Sequence, residues 1–140
     1  MEIIIDASDK VAGRLASLIA KAAIKGDQVH VINAEKAVIS GNPEYTVKNF
    51  REKINRGDPY HGPFYPKQPD RLLKRMIRTM IPYKKPMGKL ALKRVRVYLS
   101  VPEEFKDREI VNLKQAENKL HHKRMTLGAL SLKLGAKKTW

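Results

Sequence analysis

The sequence predicts an α/β protein in which a parallel sheet carries helices on its faces. A strand-like segment, Glu2–Ala7 (EIIIDA), is followed by a helix-like segment that ends near Lys25 and by a second strand-like segment, Gln28–Asn33 (QVHVIN). A strand, a helix and a strand within about 35 residues are typical of a right-handed crossover between parallel strands. Because 140 residues suffice for one hydrophobic core, we expect residues 1–140 to form a single domain.

The first helix is expected to begin after Ser8 or Asp9, since either residue is a typical helix N-cap. Small and aliphatic side chains recur along it at three- and four-residue spacing, and Gly26 is a typical C-terminal stop. Gly13 is interpreted as a position where this helix packs closely on the sheet, because no further glycines accompany it to form a phosphate-binding loop.

A third strand is predicted at Lys36–Ser40 (KAVIS), followed by a second helix that ends at Gly57. Asn42 is the predicted N-cap of that helix, and Pro43 suits its first position. The next 15 residues, from Arg56 to Asp70, contain four prolines and two glycines. An irregular loop that carries aromatic side chains is therefore expected there.

Asp70 is the predicted N-cap of a third helix, which should end near Ile81 because Pro82 disfavours helical backbone in the residue before it. This helix is strongly amphipathic. Its apolar stripe is expected to contain Leu73, Met76, Ile77 and Met80. Its basic stripe is expected to contain Arg71, Lys74, Arg75 and Arg78.

A tight turn is predicted at Tyr83–Lys89, where Gly88 would allow a close backbone approach or a positive φ. A short amphipathic segment then leads to the last predicted strand, Arg94–Val101 (RVRVYLSV), in which Arg94 and Arg96 alternate with Val95 and Val97.

The positive charge is concentrated in the centre of the chain. The formal net charge is +15 at pH 7, and residues 56–96 hold 12 Lys and Arg against 2 Asp and Glu, which gives that segment a net charge of +10. Such a self-repelling block favours a polyanionic partner over the alternative of a merely solubilising surface. The loop aromatics favour RNA over duplex DNA, since no known duplex-reading motif is present.

Enzymatic and metal-binding functions lack a motif. The chain has no cysteine, its four histidines have no ligand spacing, and it contains neither G-x-G-x-x-G nor a P-loop. Asp6 is expected to serve a turn or cap rather than acid catalysis. No cofactor or small-molecule substrate is therefore expected. The longest apolar stretch, VAGRLASLIAKAAI, is interrupted by Arg14 and Lys21, so no membrane span is expected, and we expect a cytoplasmic protein. The alternative is a free-standing nucleic-acid- or nucleotide-dependent enzyme on a Rossmann-like fold without the dinucleotide fingerprint, with its nucleotide near Gly13.

Five segments of the chain occur in the following order: DASDKVAGRLAS, VINAEKAVISGN, RGDPYHGPFYPKQPDRLLKRMIRTMIPYKKPMGKLAL, RVYLSVPEEF and TLGALSLKLG. In that order they resemble the universal large-subunit ribosomal protein thirteen (L-thirteen) family, in its archaeal and eukaryotic-type branch. The resemblance implies a three-layer α/β/α domain with a four-stranded parallel sheet. It also implies a structural, non-catalytic role in the large ribosomal subunit, early binding to large-subunit rRNA, and neighbouring ribosomal proteins as further partners.

The resemblance places the principal rRNA contacts in a basic helix and loop, within an insertion at about 56–93. A C-terminal tail at about 115–140 is the least transferable part; its basic clusters are further candidates, and its LGALSLKLG segment is expected to form a short helix that docks on the body or on a neighbouring protein. The candidate rRNA-binding residues are Lys67, Arg71, Lys74, Arg75, Arg78, Tyr83, Lys84, Lys85, Gly88, Lys89, Lys93, Lys123 and Arg124.

Overall fold

The computed structural model describes all 140 residues, Met1–Trp140. The five strands are β1 (Glu2–Asp6), β2 (Gln28–Ile32), β3 (Val38–Ser40), β4 (Val95–Val97) and β5 (Arg124–Thr126). The five α-helices are α1 (Ala12–Lys25), α2 (Pro43–Asn55), α3 (Pro69–Met80), α4 (Pro86–Arg94) and α5 (Leu127–Lys133). None of the helices is long and apolar enough to cross a membrane.

The central sheet has three parallel strands in the order β1, β2, β4. Ile3 lies opposite Val29, which in turn lies opposite Val95. The predicted crossover from β1 through α1 to β2 is therefore confirmed.

The third predicted strand does not join this sheet, so the expected four-stranded parallel sheet is not what the structure contains. Instead β3 pairs antiparallel with β5, and Ile39 lies opposite Met125. On its other edge, Val38 N donates to Lys10 O at 2.8 Å. Both edges of this three-residue strand are thus occupied, one of them by a segment about 85 residues later in the chain.

Helices cover only one face of the central sheet. Ile5, Val29 and Val95 point into a cluster of 25 buried residues that also contains Leu15 of α1 and Leu72 of α3. The opposite face carries a small cluster of Ile4, Ile32 and Phe105, and Phe105 belongs to a 3₁₀ turn, Glu103–Phe105. Because that face has a turn and loop in place of a helix, the predicted three-layer α/β/α arrangement is not observed.

The start of α1 differs from the prediction. Val11 occupies the N-cap position without a side-chain hydrogen bond, since the chain turns at Asp9, which has a φ of +52°, before the helix begins. Gly13 is exposed, and a Cβ there would meet no heavy atom within 4 Å. The close-packing interpretation of Gly13 is therefore wrong. At the other end, Gly26 has a φ of +117° and stops the helix as predicted.

The ends of α2 and α3 follow local sequence signals with one exception. Asn42 caps α2 by accepting a hydrogen bond from Glu44 N at 3.1 Å. For α3 the N-cap is Gln68, because Pro69 takes the first helical position, and Asp70 lies inside the first turn without a capping bond. The helix ends at Met80, as the proline at position 82 predicts.

The C-terminal tail packs on the body of the molecule. Leu127 and Leu130 are fully buried, and both belong to the main cluster together with Met125. Thr126 caps α5 by accepting a hydrogen bond from Ala129 N at 3.2 Å. The predicted short helix in LGALSLKLG is thus confirmed, and it docks on its own chain.

Candidate nucleic-acid interface

Helix α3 separates its apolar and basic residues onto opposite faces. Leu72, Leu73 and Ile77 are fully buried, because residues three or four apart, such as Leu73 and Ile77, fall on the same side of an α-helix. Met80, expected in that stripe, is 43% exposed at the helix end. In the basic stripe Arg71 is exposed, whereas Lys74, Arg75 and Arg78 are half-buried.

The predicted turn after α3 is shorter than expected. It closes with Lys85 N donating to Pro82 O at 3.0 Å, and α4 begins at Pro86. Gly88 is buried, since a Cβ there would overlap the Pro82 carbonyl and lie 2.9 Å from Tyr83 N. Gly88 thus makes the predicted close backbone approach, but to the chain's own turn. It lets the turn and the first turn of α4 pack backbone to backbone, which fixes Lys84 and Lys85 relative to α4.

Lysines from two helices converge on one groove. An open groove of about 360 Å³ between α3 and α4 is lined by Lys74, Lys89, Leu92 and Lys93. Lys74 comes from α3 and the other three residues from α4. Three ammonium groups around one apolar side chain form a cationic recess, which the sequence spacing within either helix does not define.

The cations of this region have no carboxylate partners within the chain. The structure contains three ion pairs and two histidine–carboxylate contacts, and none of them includes a lysine or arginine of α3, α4 or the turn between them. Like charges this close repel one another in the free chain. A polyanion on this surface would relieve that repulsion and release condensed counterions.

Two arginines of the basic stripe lie over aromatic rings. The Arg78 guanidinium is 4.2 Å from the centre of the Tyr83 ring, and Arg75 is 5.2 Å from that of Tyr65. Burial raises the pKa of Tyr65, against a smaller lowering effect of Arg75. Because Arg78 covers one face of the Tyr83 ring, Tyr83 orients the guanidinium and keeps only its other face for a partner.

Three predicted residues lie outside α3, the turn and α4. Lys67 precedes α3 with an exposed side chain, and its carbonyl accepts a hydrogen bond from Ser131 Oγ. Lys123 and Arg124 are exposed beside the two-stranded sheet, where Gly41 N donates to Lys123 O at 2.9 Å. No hydrogen bond or ion pair joins Lys123 or Arg124 to α3 or α4; Arg124 Nη1 donates to Leu120 O at 2.8 Å.

Sequence analysis missed two arginines that continue the basic surface. Arg94 and Arg96 line a second recess of about 240 Å³ together with Lys93 and His30. Arg94 Nη1 also donates to Ala23 O at 3.2 Å, at the C-terminal end of α1. The alternation of arginine and valine in RVRV was the signal that could have identified them.

The place where a Rossmann-like enzyme would hold a phosphate is occupied by the chain itself. Val11 N, at the start of α1, donates to Ala116 O at 2.8 Å. Asp6 accepts hydrogen bonds from Ser8 N and Asn33 Nδ2 at 2.8 and 3.1 Å, which confirms its turn role. Burial raises the pKa of Asp6, but the hydrogen bonds together lower it by more than burial raises it. The pKa of Asp6 therefore lies below its usual value. No group of three or more His, Asp and Glu side chains is placed to hold a metal ion.

Comparison with known proteins agrees with the resemblance. The family model described as Ribosomal protein L13 matches residues 1–104. A relative from Methanosarcina barkeri, named large ribosomal subunit protein uL13, is 46% identical over 137 residues, covering 96% of this chain and 98% of the relative. The protein of the same name from Haloarcula marismortui is 42% identical over 99% of this chain and 94% of its own length. The match to the family model and to these near full-length relatives shows that the chain belongs to the ribosomal protein L13 family.

Proposed function

We propose that this protein is a structural constituent of the large ribosomal subunit and that it binds large-subunit rRNA through α3, the following turn and α4. Its family relatives are named as proteins of that subunit. The observation that carries the proposal is the set of cations on α3 and α4 that have no carboxylate partner in the chain. A phosphate backbone supplies the missing charge.

In this proposal the lysines act as phosphate contacts on a rigid support. Lys84, Lys85 and Lys89 are exposed, and each carries its charge on a flexible stem. The buried face of α3 and the tight packing at Gly88 hold their main chain in place before RNA arrives. Since the support is already ordered, binding costs less conformational entropy than the folding of a disordered basic segment would.

The other proposed contacts divide by position. Arg71, Arg75 and Arg78 present guanidinium groups that suit bidentate phosphate recognition. Lys67, Lys123 and Arg124 are peripheral contacts, and Gly88 acts by positioning. We further propose that the protein binds rRNA early in subunit assembly, in the cytoplasm, and that neighbouring large-subunit proteins are its other partners. The family is one of structural ribosomal proteins, and the chain is not an enzyme.

Charge reversal at Lys84, Lys85 and Lys89 tests the proposal. The triple glutamate variant should fail to enter large subunits, measured by sucrose-gradient sedimentation, while its circular dichroism spectrum and melting temperature stay close to those of the wild type. A matched control reverses three exposed lysines elsewhere: Lys21, Lys36 and Lys48. The control has the same change in net charge and should still be incorporated. Normal incorporation of the first variant would refute the proposed surface.

A further inference from the structure

A second groove lies next to the proposed rRNA-binding surface. It has a volume of about 350 Å³ and runs between the C-terminal end of α2 and the loop that follows. Its lining includes an amide, a guanidinium and two aromatic rings, those of Asn55, Arg56, Phe64 and Tyr65. The candidate residues predicted from the sequence do not include any of these four.

The loop that forms one wall is ordered by its own hydrogen bonds. Asp58 accepts hydrogen bonds from Tyr60 N and from the main chain and ring of His61, and these bonds, led by that from the ring, lower the pKa of Asp58. Gly62 N donates to Asp58 O at 3.1 Å. Gly57 has a φ of +81°, and a Cβ there would overlap the Gly62 carbonyl. The two sides of the loop therefore approach more closely than side chains would allow.

Two adjacent aromatic residues of this loop face opposite ways. Tyr65 packs inward, with its ring centre 6.0 Å from that of Phe50 in an edge-on contact. Phe64 is 69% exposed. Its ring lies beside Gly62, where a Cβ would come within 3.1 Å of Phe64 Cδ2 and Cε2. The Phe64 ring thus lines the groove beside the Gly62 backbone and keeps a free face.

We propose that this groove binds an unpaired nucleotide of large-subunit rRNA, with the base stacked on Phe64. Aromatic faces stack on any base, and single-stranded RNA is recognised in this way. The Asn55 amide can donate to and accept from a base edge, and the Arg56 guanidinium can contact the adjoining phosphate. This inference rests on the proposed function and adds a base-contacting site to a surface otherwise made of phosphate contacts.

Charge and continuity favour RNA over a protein partner in this groove. Residues 56–96 carry a net charge of +10. The groove also adjoins the basic stripe, because Arg75 of that stripe lies 5.2 Å from the ring of Tyr65 in the groove wall. The carboxylate in the lining, Asp58, already accepts hydrogen bonds on both oxygens from its own loop.

Substitutions at Phe64 test the stacking contact. The equilibrium constant for binding of the full chain to purified large-subunit rRNA is measured at several salt concentrations. Phe64→Ala and Phe64→Leu should each weaken binding by about fivefold or more, because stacking is lost. Phe64→Tyr should bind like the wild type. The slope of log K against log salt should stay unchanged in all three, since no cation is removed. Tyr45→Ala is the matched control, because Tyr45 is also 69% exposed and lies outside the groove.

Ultraviolet crosslinking of the wild-type complex gives a second readout. Nucleotides should be found on the tryptic peptide that runs from Gly57 to Lys67. If Phe64→Ala binds rRNA with wild-type affinity but is absent from assembled subunits, the groove contacts a neighbouring protein, and the inference is overturned. If the lysine triple variant loses rRNA binding while Phe64→Ala does not, the inference fails and the proposed function stands. If neither variant changes rRNA binding, both fail.

Discussion

Replacing Gly88 with alanine should destabilise the fold, although the same change in most helices is stabilising. Gly88 lies in the first turn of α4, and the added methyl group would overlap the Pro82 carbonyl and lie 2.9 Å from Tyr83 N. Both neighbours are backbone atoms, so no side chain can rotate away. Relief requires the Pro82 carbonyl to move away from α4, which breaks the 3.0 Å hydrogen bond that this carbonyl accepts from Lys85 N.

The magnitude follows from three contributions to the free energy of unfolding. Forcing a methyl group into a packed site costs about 1–3 kcal/mol, and the lost hydrogen bond costs about 1 kcal/mol. The lower entropy of alanine in the unfolded chain offsets about 0.4–1 kcal/mol of this. We therefore expect a net loss of roughly 1–3.5 kcal/mol. For a chain of 140 residues, each kcal/mol corresponds to about 3 °C in melting temperature, so the expected decrease is about 3–10 °C.

The assay is a thermal melt of the Gly88→Ala variant beside Gly13→Ala. Gly13 also lies near the start of a helix, but a Cβ there meets nothing within 4 Å. The control should therefore gain about 0.4–1 kcal/mol, or about 1–3 °C. A Gly88→Ala variant that melts at or above the wild-type temperature would refute the proposed close packing of turn and helix.

Three further outcomes are expected. Leu130→Ala should lower the free energy of unfolding by about 2–5 kcal/mol, because Leu130 is fully buried. The calorimetric melt of this variant should remain a single transition. Two separate transitions would contradict one domain that spans residues 1–140. Burial lowers the pKa of His30 below its ordinary 6.5, against the opposing effect of Glu2. As the pH falls through 6.5, the unfolded chain therefore binds more protons at His30 than the folded chain does, so this group reduces stability toward pH 5. The urea midpoint of His30→Gln should fall less between pH 7 and pH 5 than that of the wild type. An equal fall would contradict a lowered pKa of His30. A double-mutant cycle of Arg78→Ala and Tyr83→Ala should give a coupling of about 0.5–1 kcal/mol in stability, whereas additive losses would mean that the cation–π contact contributes nothing.

Sequence patterns predicted the parts of the fold that short-range physics determines. Asn42 followed by proline marks a helix start, Pro82 marks a helix end, and two apolar strands around a helix predict a crossover. The pairing of β3 with β5 could not be predicted in this way, because the partners are about 85 residues apart and each strand has only three residues. The lack of a helix on the second face of the central sheet could not be predicted locally either. That face is covered by Phe105 and its 3₁₀ turn, and the sequence pattern predicted no element there.

The candidate interface was predictable one helix at a time. The spacing of Arg71, Lys74, Arg75 and Arg78 places them on one stripe of α3. The groove formed with Lys89 and Lys93 depends on how α3 and α4 pack, which no local pattern specifies. Gly88 shows the same limit: its close backbone approach was expected, but the partner is the chain's own turn at Pro82 and not a ligand.

The two faces of α3 explain how the fold tolerates a surface that repels itself. Leu72, Leu73 and Ile77 are fully buried, and each such side chain contributes about 1.5–3 kcal/mol through removal of apolar surface from water. Repulsion between like charges at i,i+4 spacing on an exposed helix costs only about 0.2–0.5 kcal/mol per pair. Apolar burial on one face therefore outweighs the repulsion on the other by several kcal/mol. The free protein can thus keep its basic stripe fixed without a neutralising partner.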